Sequence, residues 1–259
     1  MNDLTYPDLF KKTVLVTGAS SGIGKALAEQ FAKDGYHVVL SARSQDKLEF
    51  IAEDLRSRFK VFATVVTADL ETPEGARNLH QQIKAKGITL SALVNNAGFG
   101  VFGEFKDTEL APEMAMMQLN MTSLVSLTKL FMPDLLDTEG KLMNVASTAA
   151  FQPGPYMAVY YATKAFVLSF TEALAAELAE STVSVMAFCP GPTSSGFQDR
   201  AQMQDSALVK NKKLPSAEQV ATEGYLAMKL GRRLYIPGAM NWLKAQSVRF
   251  TPRNMVSSR

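Results

Sequence analysis

Cysteine and histidine are almost missing from this chain: Cys189, His37 and His80 are the only three in 259 residues. A lone cysteine excludes a disulfide framework or a cysteine cluster within the chain, and it points to a reducing, cytoplasmic setting. Two histidines in separate segments make neither a histidine-based triad nor a histidine-rich metal site, so proton transfer has to come from other side chains. Long apolar runs are lacking too. The longest are strand-sized, far short of the ~20 residues that span a bilayer, and no integral membrane segment is expected. The opening MNDLTYPDLFKKTVLVTG carries acidic residues and no apolar stretch of leader type, so it does not read as a signal peptide. Linkers, repeats and low-complexity tracts are absent, which leaves a single domain over 1–259 as the expectation; 47% hydrophobic residues suffice to fill its core.

What is present begins with charge. The net charge of +2 is too small to suggest a nucleic-acid partner, but it is unevenly spread. From Gly224 to Arg259 there are seven basic residues (Lys229, Arg232, Arg233, Lys244, Arg249, Arg253 and Arg259) and no acidic one, leaving 20 basic against 25 acidic residues before them. This basic extension, about 231–259, reads either as a solvated terminus or as a contact for acidic partners, phosphates or lipid headgroups.

Short β-branched runs alternate with helical patterns along the chain. Strands are expected at Thr13–Thr17, His37–Ser41, Val61–Val66, Ala92–Asn95, Lys141–Ala146, Val183–Phe188 and Arg233–Ile236. Helices are expected at Gly22–Asp34, Gln45–Arg58, Pro73–Lys86, Pro112–Leu136, Tyr160–Ala179 and Ala217–Leu230, the fourth interrupted near Asn120. Repeated βα alternation with right-handed crossovers predicts an α/β fold, a doubly wound parallel sheet of Rossmann type. Ligands of such sheets sit beyond the carboxyl ends of the strands. The chemically unusual residues of this chain fall there: Gly18–Gly24, Ala42-Arg43, Asp69-Leu70, Asn95–Gly98, Ser147 and Pro190-Gly191.

The first strand-to-helix turn, TGASSGIG, places Gly18, Gly22 and Gly24 around Ser20, Ser21 and Ile23. Glycines allow the tight turn, the approach of backbone to a pyrophosphate, and close helix packing. After the second strand, an NAD site tends to carry an acidic residue for the ribose, whereas a 2′-phosphate needs a cation. This chain has Ala42 and then Arg43, so NADP(H) is the expected cofactor.

In the stretch that runs on to Glu177, Tyr160 and Lys164 are i,i+4 neighbours on one helix face. A nearby ammonium favours phenolate and is expected to lower the tyrosine pKa, suiting it to act as acid toward a carbonyl or base toward an alcohol. Ser147, at the end of the fifth strand, would hold the substrate oxygen.

With TGASSGIG, Asn95-Asn96-Ala97-Gly98, Asn120, Ser147, Tyr160-x-x-x-Lys164 and Pro190-Gly191 in this order, the chain resembles the short-chain dehydrogenase/reductase family over about residues 11–230. The resemblance implies that Asn96, Ala97 and Gly98 brace the central strand and border the adenine-ribose pocket, and that Asp69, with Leu70 beside it, contacts adenine. It implies that Asn120 carries a water linking Lys164 to solvent, and that Lys164 also holds the nicotinamide ribose. A threonine often follows Pro-Gly in this family to bind the nicotinamide amide; Ser195 stands at that offset, with Thr193 as competitor. Tyr161, without a lysine at i+4, reads as a packing or interface residue. The PGPT-x-x-G-F segment and basic tail resemble the bacterial branch called DltE-like.

Family members form dimers or tetramers through helices corresponding to 112–136 and 160–179, so a homodimer or homotetramer is expected. Met114, Met116, Met117 and Met121 read either as interface residues or as core. Phe99, Phe102, Phe151, Tyr156, Met157 and Phe197 are expected to wall an apolar pocket for a carbonyl or alcohol substrate, with a lid at about 192–214. Trp242 reads as an oligomer contact or as part of the pocket wall. Three functions are compatible with these features: an NADP-dependent reductase or dehydrogenase, an NADP(H)-sensing regulator without turnover, and an acyl-carrier-linked 3-oxoacyl reductase.

Overall fold

The structure is a computed structural model in which residues 12–201, 203 and 213–251 are described. Among these residues seven strands form one sheet: β1 (Thr13–Thr17), β2 (His37–Ser41), β3 (Ala63–Val65), β4 (Ala92–Asn95), β5 (Lys141–Val145), β6 (Ser184–Phe188) and β7 (Leu234–Tyr235). All neighbours run parallel in the order β3-β2-β1-β4-β5-β6-β7. The fold is therefore the doubly wound α/β type. Every residue of β1 and β2 is buried, as expected of strands covered on both faces.

Helices α1 (Gly22–Lys33), α2 (Gln45–Phe59) and α8 (Ala217–Lys229) cover one face. There Phe31 of α1 meets Tyr225 of α8 edge-on, with ring centroids 4.9 Å apart. The other face is covered by α3 (Gly75–Ala85), α4 (Leu110–Met117), α5 (Leu124–Asp137) and α6 (Ala158–Glu177), through Leu79, Ile83, Leu127 and Phe131 among others. No helix among the described residues is long and apolar enough to cross a membrane.

Three local differences from expectation have physical causes. The strand anticipated at 61–66 contracts to Ala63–Val65, because β3 is an edge strand with β2 as its one partner; short edges limit unpaired backbone. The same applies to β7 at the opposite edge. The interruption near Asn120 takes the form of a π-helical turn, Gln118–Ser123, between α4 and α5. Met116 is core, whereas Met114 is exposed.

The order reverses between β1 and β4, so chain leaves these neighbouring strands in opposite directions and opens a crevice beyond their carboxyl ends. Above the crevice runs the segment after β6, with a bridge between Ser194 and Ser216 and a short α7 (Phe197–Arg200). Most of the anticipated lid, at 202 and 204–212, lies outside the described residues. The basic extension forms α9 (Ala239–Ser247) and a 3-10 turn (Val248–Phe250); Arg253 and Arg259 also lie outside the described residues.

Candidate active site

A cleft of about 660 Å³ opens at the strand reversal. Gly18, Ser20, Ser21, Gly22, Ile23 and Gly24 line it from the first turn, Arg43 from the second, Asp69 and Leu70 from the third, and Asn96, Ala97 and Gly98 from the fourth. Ser147, Tyr160, Lys164, Pro190, Gly191, Thr193 and Ser195 complete it. Of the catalytic and cofactor residues singled out in the sequence, only Asn120 stands behind the wall.

At one end the cleft is made of backbone. Gly18 and Gly22 have φ of 65° and 55°, in the left-handed region. A side chain on Gly18 would come within 2.9 Å of Ala97 Cα, and one on Gly24 would collide with Gly18 O and the Asn96 amide. The turn is thus pressed against the Asn95–Gly98 segment. Thr17 ties the two together: its Oγ1 accepts from the N–H groups of Asn96 and Ala97 at 3.0 and 3.1 Å, and Asn96 Nδ2 donates to its carbonyl at 2.9 Å. Asn95 continues the brace inside the sheet, donating to Asn144 Oδ1 at 2.9 Å and Thr128 Oγ1 at 3.0 Å. Helix α1 begins here with neither a side-chain cap nor an acidic residue in its first turn. Its positive end is left for an anion, and the glycine cradle fits a pyrophosphate. Residues from this cradle round to Ser195 suit a dinucleotide.

Charged side chains flank that end. Arg43 Nη1 donates to Glu71 Oε1 at 2.8 Å, and the Arg200 guanidinium, brought in by α7, reaches the same oxygen. Asp69 is exposed and accepts from the Glu71 N–H at 3.0 Å, a local turn that sets the position of Glu71.

The opposite end is built from buried side chains. Tyr160 and Lys164 of α6 are 8% and 5% exposed, and Asn120 is 1% exposed. Lys164 Nζ lies 5.8 Å from the centre of the Tyr160 ring and donates to Val145 O at 2.9 Å. Burial lowers the Lys164 pKa to about 8, with the neighbouring Cys189 acting in the opposite direction. Burial likewise pushes the Cys189 thiol up to about 12. For Tyr160 the structure corrects the expectation of a lowered pKa. Burial raises it, a contact with Ser147 opposes this, and nearby Tyr161 adds to the rise. In this cleft the cost of a desolvated phenolate outweighs the ammonium one helical turn away.

Ser147 follows β5 in extended conformation and caps a 3-10 turn, Thr148–Phe151, by accepting from the Ala149 N–H at 3.1 Å. Its own hydroxyl proton is then free to be donated into the cleft. Asn120 is held in the π-helical turn by a two-way bond to one residue: Phe99 N donates to its Oδ1 at 3.2 Å, and its Nδ2 donates to Phe99 O at 3.0 Å. Nδ2 also donates to Thr163 Oγ1 at 3.0 Å, which ties the turn to α6. Gly98 makes this possible, because a side chain there would meet Asn120 Oδ1 at 3.0 Å and Lys164 Nζ at 3.5 Å.

Thr193 is buried with its hydroxyl on Gly191 O at 2.9 Å. Ser195 stands over Gly22, where an added Cβ would come within 3.1 Å of it. Tyr161 packs its ring onto Gly154 and lies edge-on to Tyr160, with centroids 6.1 Å apart.

The aromatic wall is smaller than expected. Phe151, Met157 and Phe197 line the cleft, and Phe197 approaches Tyr160 with ring centroids 5.3 Å apart. Phe102 and Tyr156 instead stack on each other at 6.0 Å, and Tyr156 faces a second hollow of about 320 Å³. Tyr156 has φ 65°, so the chain turns sharply just before α6 and carries the ring away. Phe99 is buried beneath the Arg200 guanidinium, 4.0 Å from its ring centre. Trp242 is 54% exposed, while its neighbours Asn241, Lys244, Ala245 and Val248 line the cleft. Glu71, Arg200, Asn241 and Lys244 were not singled out from sequence. The run of cations in the tail was the available signal for Lys244 alone.

A profile of the family described as short chain dehydrogenase matches residues 12–206. The chain is 32% identical over 187 residues to very-long-chain 3-oxoacyl-CoA reductase-B of Danio rerio, a match covering 69% of this chain and 58% of that protein. It is 33% identical over 187 residues to sulfoacetaldehyde reductase 2 of Chromohalobacter salexigens, covering 71% and 73% respectively. The chain thus spans less than two thirds of the first relative's length. Among solved structures, a short-chain dehydrogenase from Sphingobium yanoikuyae in complex with NADPH has a TM-score of 0.81 at 29% identity, covering 92% of this chain and 94% of that one. L-sorbose reductase from Gluconobacter frateurii, complexed with NADPH and L-sorbose, has a TM-score of 0.76 at 27% identity, covering 87% and 94%.

Proposed function

The chain belongs to the short-chain dehydrogenase family of oxidoreductases, and from that premise we propose that it transfers hydride reversibly between NADP(H) and a carbonyl or alcohol of an apolar substrate. The observation that carries this reading is the junction of two unlike ends in one cleft: a glycine cradle with Arg43 beside it, and a buried Tyr160 with Lys164 and Ser147 around it.

The bound nicotinamide supplies or accepts the hydride. Tyr160, kept protonated by burial, is ready to give its proton to a carbonyl oxygen as negative charge develops there. Ser147, its acceptor side engaged by Ala149, donates to the same oxygen and stabilises that charge. Lys164 uses one N–H on Val145 O and keeps two for ribose hydroxyls and for favouring phenolate once Tyr160 has given up its proton. Asn120 positions the route by which the proton is replaced. Its side chain is committed to Phe99 and Thr163, so a relay water would be held by its main-chain carbonyl. Asp69, Asn96, Ala97 and Gly98 border the adenosine, and Pro190, Gly191, Thr193 and Ser195 the nicotinamide.

NADP(H) rather than NAD(H) is proposed because Arg43 occupies the ribose edge where an NAD site tends to place an acid. Assembly as a homodimer or homotetramer through α4, α5 and α6, with exposed Met114 and Phe166 on those helices, belongs to the same reading, as does a cytoplasmic setting. Light scattering on the purified chain tests the assembly. The finer resemblance to the DltE-like branch carries no substrate.

A second reading, reduction of a 3-oxoacyl group on an acidic carrier, is favoured by the first relative's name and by Lys244 on the cleft wall. It predicts salt-sensitive saturation and weakening by Arg232→Glu with Arg233→Glu.

The primary test is NADPH oxidation followed by absorbance with a panel of ketones and aldehydes. Tyr160→Phe is expected to lower kcat by ~10³-fold while leaving NADPH affinity within about twofold. Tight NADPH binding with no turnover by either protein would favour the regulator reading instead.

A further inference from the structure

Glu71 and Arg200 take no part in hydride or proton transfer, yet they meet Arg43 at the adenosine edge of the cleft. Three segments far apart in sequence deliver these side chains: the turn after β2, the turn after β3, and the end of α7. Arg43 Nη1 donates to Glu71 Oε1 at 2.8 Å, and the Arg200 guanidinium bonds to that same oxygen. The two cations are therefore neighbours, held together by one carboxylate that neutralises only one of their charges. Arg200 is further fixed by the Phe99 ring, 4.0 Å from its guanidinium carbon. All three side chains line the cleft and remain open to water, with 52%, 37% and 20% of Arg43, Arg200 and Glu71 exposed.

An ordinary surface ion pair at such exposure contributes little to stability. Convergence of two guanidinium forks on one oxygen, at the edge of a ligand cleft, is a different arrangement. Two arginines side by side suit an anion with more charge and more acceptor oxygens than a carboxylate has. A phosphate on the ribose is such an anion.

We propose that Arg200 is a second residue recognising the 2′-phosphate, closing on it from the side opposite Arg43, and that Glu71 is an internal anion holding both arginines until that phosphate displaces it. The inference deepens the NADP(H) reading and rests on it. Arg200 supplies the selectivity of a side chain from the substrate-facing segment, so the adenosine edge is completed only when α7 is in place. The Glu71 carboxylate opposes the incoming phosphate by like charge as well as by competing for its donors.

The test is calorimetric titration of the full chain with 2′,5′-ADP and with 5′-AMP, which differ only in the phosphate. Arg200→Gln is expected to weaken 2′,5′-ADP by about tenfold and 5′-AMP by less than about twofold. Glu71→Gln is expected to tighten 2′,5′-ADP by about threefold, with 5′-AMP unchanged. Arg43→Ala separates this proposal from the reading beneath it. If Arg43→Ala selectively weakens 2′,5′-ADP while Arg200→Gln does not, the role of Arg200 is overturned and the NADP(H) reading stands. If wild type binds the two nucleotides equally, or Arg43→Ala weakens both alike, both fall. Weaker 2′,5′-ADP binding by Glu71→Gln overturns the role given to Glu71.

Discussion

At its glycine end the cleft offers backbone and exposed charge, whereas at its tyrosine end it offers side chains almost closed to water. Arg43, Glu71 and Arg200 are partly solvated and bonded to one another, so their partners can be exchanged and salt can screen them. Tyr160, Lys164 and Asn120 are buried, and burial shifts both titrating groups toward their neutral forms. The lesson is that recognition and proton transfer ask opposite things of the solvent. An ion pair that must open for a ligand is cheapest to open in water. A proton donor that must not leak its proton is best kept dry.

Lys164→Met attacks the dry end and has the largest expected effect. Activity should fall by ~10²-fold or more, while unfolding free energy changes by less than about 1 kcal/mol, because loss of the bond to Val145 O offsets relief from a buried ammonium. Denaturation at several pH values checks the second half. The folded Lys164 titrates near 8 and an unfolded lysine near 10.5. Between these values the unfolded chain binds a proton that the folded chain has released, so wild-type stability gains a contribution as pH rises. The variant should lack that gain; a retained gain would show that Lys164 is not its source.

Gly24→Ala strikes the backbone end. Its methyl group would collide with Gly18 O and the Asn96 amide, and overpacking of this kind costs about 1–3 kcal/mol. Nucleotide affinity should drop together with the melting temperature. A variant that melts like wild type would mean that the cradle yields more easily than its contacts imply.

The smallest effect comes from a buried group outside the cleft. His37 is 4% exposed and burial lowers its pKa from 6.5 to about 4. Below pH 6.5 the unfolded chain binds a proton that the folded histidine refuses, so stability should fall by about 1–2 kcal/mol between pH 7 and 5. His37→Asn should remove that component in urea denaturation. The comparison is sharpened because His37 shows what burial alone does to a titrating group where no catalytic role is proposed.

The sequence made the two ends unequally legible. The cradle could be read because left-handed backbone leaves glycines at fixed positions, and Tyr160 with Lys164 because a helix brings i and i+4 together. The parallel sheet followed from alternating periods, and its order added the strand reversal that places the cleft. Burial was not legible. The spacing of Tyr160 and Lys164 gave their proximity but not the desolvation that decides the direction of the tyrosine shift. Glu71 and Arg200 were also hidden, since their contact joins two segments 129 residues apart with no periodicity in common. The aromatic wall was misjudged at Phe102 and Tyr156, because the direction in which a loop turns its rings depends on backbone angles such as the positive φ of Tyr156.

The π-helical turn at Gln118–Ser123 also has a bearing on how this chain can vary. A π turn holds one residue more than an α turn, and here it points Asn120 at Phe99 while Thr128, further along, still meets Asn95. Removing a single residue between them would restore an α-helix and rotate the remainder of α5 by about 100°, carrying Thr128 and Phe131 off the sheet. This stretch should accept many substitutions yet reject every one-residue deletion, so a library of single deletions across 110–137 would expose the turn as a counted length rather than a fixed spelling.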